Sequence, residues 1–165
     1  MRDLVFSLIR VEYFTVLGLE PSLALDPEDL ERRFYSRSRE LHPDRFARAP
    51  KAEQQRVLME SALLNDAYRT LRHPLSRAEY FLRQSGVDST DVPEELLEEM
   101  FELNLAKEQG QDISGPVQRL LDEVDRALPG LFAQWDATRD PAVLGTLRAT
   151  LNRRRYLENI LHGHA

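Results

Sequence analysis

Leu41-His42-Pro43-Asp44-Arg45-Phe46 interrupts two long stretches of helical periodicity, and its reading decides the fold. Pro43 pushes the residue before it out of the helical region, so a helix arriving from the N-terminal side must stop near Leu41. That helix has a marked start: Asp26 is a capping residue, Pro27 suits the first helical position, and Glu28 and Asp29 place negative charge in the first turn. Its apolar stripe is Leu30, Phe34 and Leu41; the position between them is Arg37, whose stem can lie along the core edge while its head reaches water. Beyond the interruption, residues 51–71 carry Val57, Leu64, Ala67, Tyr68 and Leu71 on one side. Two such helices joined by residues 42–50 are expected to pack as an antiparallel pair. Each large side chain they bury is worth about 1.5–3 kcal/mol before entropy is charged against it.

Working outward, residues 2–17 read as one or two short helical stretches that Gly18 stops. After His73-Pro74, a shorter segment over residues 75–84 is closed by Gly86. Residues 87–93 are polar and turn-like, which places a boundary between a domain of residues 1–86 and a second of residues 87–165. Three further helical segments are expected, over residues 93–109, 116–138 and 141–161, with Gly110, Ser114 and Asp140-Pro141 as punctuation. Pro129-Gly130 is expected to kink or split the middle one. With 27 Leu against 9 Val and 3 Ile, and no period-two alternation, the chain is all-α. It reads as a helical hairpin with short flanking helices followed by a three-helix bundle.

Composition removes several function classes. The 165 residues include no Cys, which excludes disulfides, thiolate-bound metal and a Cys nucleophile. No apolar run approaches the roughly 18 residues a membrane span needs, and Arg10 and Glu12 break the apolar start, so neither signal peptide nor anchor is expected and the location is taken as cytoplasmic. The net charge of -6 argues against nucleic acid or an anionic membrane as the main partner. Arg153-Arg154-Arg155 occupies successive helix positions without interleaved aromatics and reads as a solvated face, while His162 and His164 are too few for a metal site. A His42–Asp44 catalytic dyad lacks a nucleophile, a metal set or a phosphate loop, so the chain is read as a non-enzyme without cofactor. The charge is uneven: residues 1–86 carry 14 bases and 13 acids, residues 87–165 carry 8 and 15. That asymmetry suggests two halves with two partners.

The turn has a wider context: Tyr13-Phe14-x-x-Leu17-Gly18-Leu19 before it and Asn65-x-Ala67-Tyr68-x-x-Leu71-x-x-Pro74-x-x-Arg77-Ala78 after it. Together these motifs resemble a J domain, the module by which co-chaperones stimulate DnaK-type ATPases. A J domain followed at once by a short acidic helical region resembles, more narrowly, the HscB family of iron-sulfur cluster assembly co-chaperones. The resemblance implies that His42, Pro43, Asp44 and Arg45, with Arg32, Arg33 and Arg39, dock on an acidic surface of an HscA- or DnaK-type chaperone. Residues 32–48 carry six arginines against two acids, which fits such a surface. Some relatives in the family add a four-cysteine zinc module, which this chain lacks.

In the second half, residues 88–102 hold seven acids and no base, and Leu96, Leu97, Met100, Phe101, Leu103 and Leu105 span more of a helix than one buried stripe requires. Some of them are therefore expected to stay exposed beside negative charge. The family resemblance implies that this helix binds the cluster scaffold, an IscU-like protein, through Leu96, Leu97, Glu99, Met100 and Leu103, with Tyr156 beside them. The family's Leu-Glu-Leu-Arg-like continuation matches Phe101-Glu102-Leu103-Asn104 only after a one-residue shift, so the register stays open by one position. Bundle core is the competing role for Leu96, Leu103 and Tyr156. The implied function is a co-chaperone that delivers the scaffold to the chaperone; the alternative is a general J-domain adaptor for a different client.

Overall fold

A computed structural model of the chain describes residues 12–87 and 94–162. Residues 2–11 of the helical stretches expected over 2–17, residues 88–93 of the expected turn, and His164 lie outside the described residues. The described residues form seven α-helices and one 3-10 turn, with no strand among them. The chain divides into two compact units, Met1–Gly86 and Val87–Ala165.

In the first unit, α1 (Glu12–Val16), α2 (Pro27–Glu40), the 3-10 turn (Pro43–Phe46) and α4 (Pro74–Gln84) all pack on α3 (Lys51–Leu71). The Asp26 carboxylate caps α2 by accepting from the Glu28 amide at 3.0 Å. The helix ends at Glu40 and His42 is extended, as the proline after it demands. Leu30, Val57, Leu64 and Leu71 are buried in the hairpin, and Phe34 stacks on Tyr68 at 4.2 Å. Arg37 is half-buried, its Nε donating to the Val16 carbonyl and its head pairing with Glu40. The remaining wall is aromatic: Tyr13 stacks on Tyr80, and Phe14 meets Phe81 edge-on. Burial pushes the Tyr80 hydroxyl pKa up.

Arg77 is 6 % exposed and donates to the carbonyls of Leu23 and Leu71. It thereby closes the C-terminal end of α3 and holds the loop before α2. Gly18 turns the chain after α1 with φ +65, where a side chain would be strained, and the Arg33 guanidinium lies 3.5 Å from where its Cβ would stand.

In the second unit, α5 (Glu94–Glu108), α6 (Ser114–Thr138) and α7 (Pro141–His162) make the three-helix bundle. Val117, Leu121, Val124, Leu157 and Ile160 form a core cluster, with Leu103 and Tyr156 packed against it. Two expectations are corrected. The second of these helices starts at Ser114 instead of after it, because the Asp112 carboxylate accepts from the Ser114 amide at 2.9 Å; that bond holds the Asp112 carboxyl below the usual range. It is also not split at Pro129, where the helix continues. Pro129 and Gly130 are exposed while Leu128 and Phe132 are buried, so the missing main-chain bond falls on the water side and packing holds the other side.

Arg77→Ala should lower the unfolding free energy by roughly 2–4 kcal/mol, since two buried carbonyls lose a charged donor and the stem leaves a void. Urea unfolding followed by circular dichroism measures it; a change below about 0.5 kcal/mol would refute the closing role.

Candidate functional site

In the first unit the His42-Pro43-Asp44 turn stands at the tip of the hairpin. The side chains of His42 and Asp44 are 59 % and 91 % exposed, so both project outward. The local geometry is self-supporting. Asp44 donates its amide to His42 Nδ1 at 3.3 Å, and Arg45 donates its amide to the His42 carbonyl at 3.0 Å. With Nδ1 accepting, the neutral imidazole carries its proton on Nε2, which presents a donor outward. The Arg45 head bonds back to the Arg39 carbonyl at 3.3 Å, tying the turn to the end of α2.

The arginines are not equivalent. Arg32 and Arg33 both pair with Asp29, and hydrogen bonding from Arg33, opposed by partial desolvation, holds the Asp29 carboxyl below its ordinary value. Arg33 also donates to the Gly18 carbonyl at 2.5 Å, which makes it a tie between α2 and the turn after α1. Arg39 and Arg48 are exposed and their side chains make no bond among the described residues. Tyr35, 56 % exposed, lies on the same helical face as Arg32 and Arg39 and was missed at the level of sequence. The signal was there: positions 32, 35 and 39 share a face, and an aromatic between arginines is not needed by the core.

In the second unit the structure sorts the acidic-apolar segment. Leu96 is 7 % exposed and Leu103 packs against the core cluster, so of the two roles weighed for them, scaffold contact and bundle core, the structure places both in the core. The reason is rotational: Leu96 and Leu103 face α7, and Leu97, one residue on, is turned away by about 100°. The exposed apolar side chains are Leu97, Phe101 and Leu105, at 52 %, 69 % and 42 %. Their four-residue spacing makes a continuous ridge, with Met100 half-buried beside it. The sequence named Leu97 and Met100 as contacts, and Phe101 and Leu105 only among the apolar residues of which some would stay exposed.

For Tyr156 the structure shows the core role. It packs on the core, its hydroxyl donates to the Met100 carbonyl at 3.1 Å, and it accepts from the Asn104 amide at 2.9 Å at the edge of the ridge. Partial burial raises its pKa. Glu99 is held by Arg153 in a two-bond pair of 2.8 and 2.6 Å, and that hydrogen bonding raises the Arg153 pKa. Glu94, Glu98 and Glu102 are exposed without a side-chain partner among the described residues, and they flank the ridge instead. Arg154 pairs with Asp125 and Glu158, so two of the three consecutive arginines are cross-helix ties. No group of His, Asp and Glu that could hold a metal, and no helix long and apolar enough to cross a membrane, occurs among the described residues.

Residues 12–80 match the DnaJ domain family. Over 83 residues the chain is 45 % identical to a Co-chaperone protein HscB homolog of Neisseria meningitidis serogroup B, and 43 % identical to that of Neisseria gonorrhoeae. The chain thus carries a J domain within its first unit, and over about half its length it is similar to HscB homologs. Each of these alignments covers 50 % of this chain and 49 % of the relative, so the chain spans about half the length of the curated relatives it matches. The fold is similar over 92 % of the chain to the chaperone HscB from Vibrio cholerae (TM-score 0.59, 24 % identity, 93 % of that chain). It is likewise similar to human co-chaperone protein HscB (TM-score 0.64, 24 % identity, 79 % of that chain). The HscB-like bundle after the J domain is thus a matter of fold, while the J domain is matched by sequence as well.

Because the turn is capped through Nδ1, His42→Asn, whose Oδ1 reaches the same amide, should leave Asp44 amide exchange within about three-fold of wild type. His42→Gln, whose polar end lies further out, should speed it on the order of ten-fold. Equal rates in all three proteins would remove the cap.

Proposed function

We propose that this chain is an HscB-type co-chaperone, a non-enzymatic adaptor with two protein partners. The J domain docks its His42-Pro43-Asp44 turn and the face of Arg39, Arg45, Arg48 and Tyr35 on an acidic surface of an HscA- or DnaK-type chaperone and stimulates its ATPase. The bundle presents an IscU-like iron-sulfur scaffold to the same chaperone. The observation that carries the first half is the self-capped, outward-facing turn, with Asp44 exposed at 91 %. A turn fixed by Pro43 and two internal hydrogen bonds loses little entropy on docking. The long-range attraction comes from the arginines and steers orientation more than it sets affinity.

The second half is supported by the ridge of Leu97, Phe101 and Leu105 beside Glu94, Glu98 and Glu102. This is a surface for a partner with apolar and basic patches. Leu97, Met100, Phe101 and Leu105 are its contacts in this reading; Glu99 and Tyr156 act by holding the helix that carries them. Binding both partners to one chain raises the scaffold's effective concentration at the chaperone, so two modest interfaces suffice.

Single-turnover ATP hydrolysis by a purified DnaK-type chaperone should be stimulated by the wild-type chain and at least about ten-fold less by His42→Gln, with stimulation falling as salt rises. Equal stimulation by both would sink the docking role. Separately, Leu97→Ala and Phe101→Ala should each weaken scaffold binding on the order of ten-fold in calorimetry, at no cost in folding because both side chains are exposed. A scaffold that fails to bind the wild-type chain, with chaperone stimulation intact, would leave the general J-domain adaptor for another client.

A further inference from the structure

A cleft of about 210 Å3 opens beside the docking turn, lined by Pro43, Phe46, Ala47, Gln54, Val57 and Leu58. It exists because the 3-10 turn lies across the first turns of α3 and does not fill them. The far wall is fixed by the Gln54 side-chain amide, which donates to the carbonyls of Ala47 and Ala49 at 3.3 and 2.9 Å. That donor is therefore spent, and the lining is otherwise apolar. Val57, 2 % exposed, belongs to the core; Leu58, 64 % exposed, forms the lip and has no structural reason to be leucine. A cleft this size is small beside the roughly 300–1,000 Å3 of small-molecule pockets, and has room for a single side chain.

Two features restrict what enters it. Pro43 lines the cleft and is the centre of the docking tripeptide, so whatever approaches the turn also meets the cleft. The charges nearest its lining in sequence are the exposed cations Arg45, Arg48 and Lys51 against Asp44 of the turn, while Arg56 is paired with Glu53 and Glu60. We propose that the cleft receives one aliphatic side chain from a segment of the DnaK-type ATPase whose neighbouring residues are acidic. This rests on the docking reading and extends it: the tripeptide supplies hydrogen bonds, the arginines orientation, and the cleft an apolar anchor.

The test is binding of the full chain to a purified DnaK-type ATPase in ATP. Leu58→Glu, which removes the lip and adds repulsion, and Ala47→Phe, which fills the cleft, should each raise the dissociation constant on the order of ten-fold. Met59→Glu is the control. Met59 is 74 % exposed and adjacent in sequence, but it does not line the cleft, so binding should change less than about two-fold. Wild-type affinity in both cleft variants, or an equal loss in Met59→Glu, overturns the proposal. If His42→Gln weakens binding while the cleft variants do not, the docking reading survives and the cleft alone fails; if wild type does not bind, both fail. Concentration-dependent dimerisation in sedimentation that Leu58→Glu abolishes would assign the cleft to a second copy, which also overturns it.

Discussion

Everything in the first unit is built on one helix face. Val57, Leu64, Ala67 and Leu71 of α3 are 2 % exposed or less, and each other element of the unit is laid against that helix. The hairpin turn is a product of this constraint. Because α2 must return along α3, the chain has to reverse between Leu41 and Lys51, and Pro43 fixes where the reversal begins. The groups that project from the reversal are then free of packing duties, which is the condition for a contact surface.

The second unit solves the opposite problem. Its third helix, α7, carries the cations Arg153 and Arg154, and these reach acids on α5 and α6. Bidentate pairing at 23–30 % side-chain exposure fixes the rotation of α5 about its own axis. That rotation decides which leucines face the core and which face water. Glu99 is therefore a structural acid inside an acidic segment, and the free charges are its neighbours.

Legibility in the sequence followed the range of the forces. Helix ends were legible because Asp26, Pro27, Pro43, Gly86 and Asp140 act on their own neighbours. The turn itself was legible for the same reason. The ridge was not, since Leu96 and Leu97 differ by one residue in sequence and by about 100° in direction, and only α7 says which of them is inside. Arg153 looked like a solvated face because its partner is 54 positions away. The split weighed for Pro129 does not occur, because a local rule about broken bonds competes with Leu128 and Phe132, whose burial is a tertiary fact.

The length of α3 adds a mechanical consequence. At about 1.5 Å per residue its 21 residues span roughly 32 Å, with the His42-Pro43-Asp44 turn near one end and the Arg77-closed carbonyl of Leu71 at the other. The helix is a lever. A tilt of about one degree at the Leu71 end carries the far tip through roughly half an ångström, comparable to the tolerance of a hydrogen bond. Positional accuracy at the turn is therefore decided remotely, by the buried arginine and its two carbonyls, and a lesion there would displace the turn without touching any residue in it.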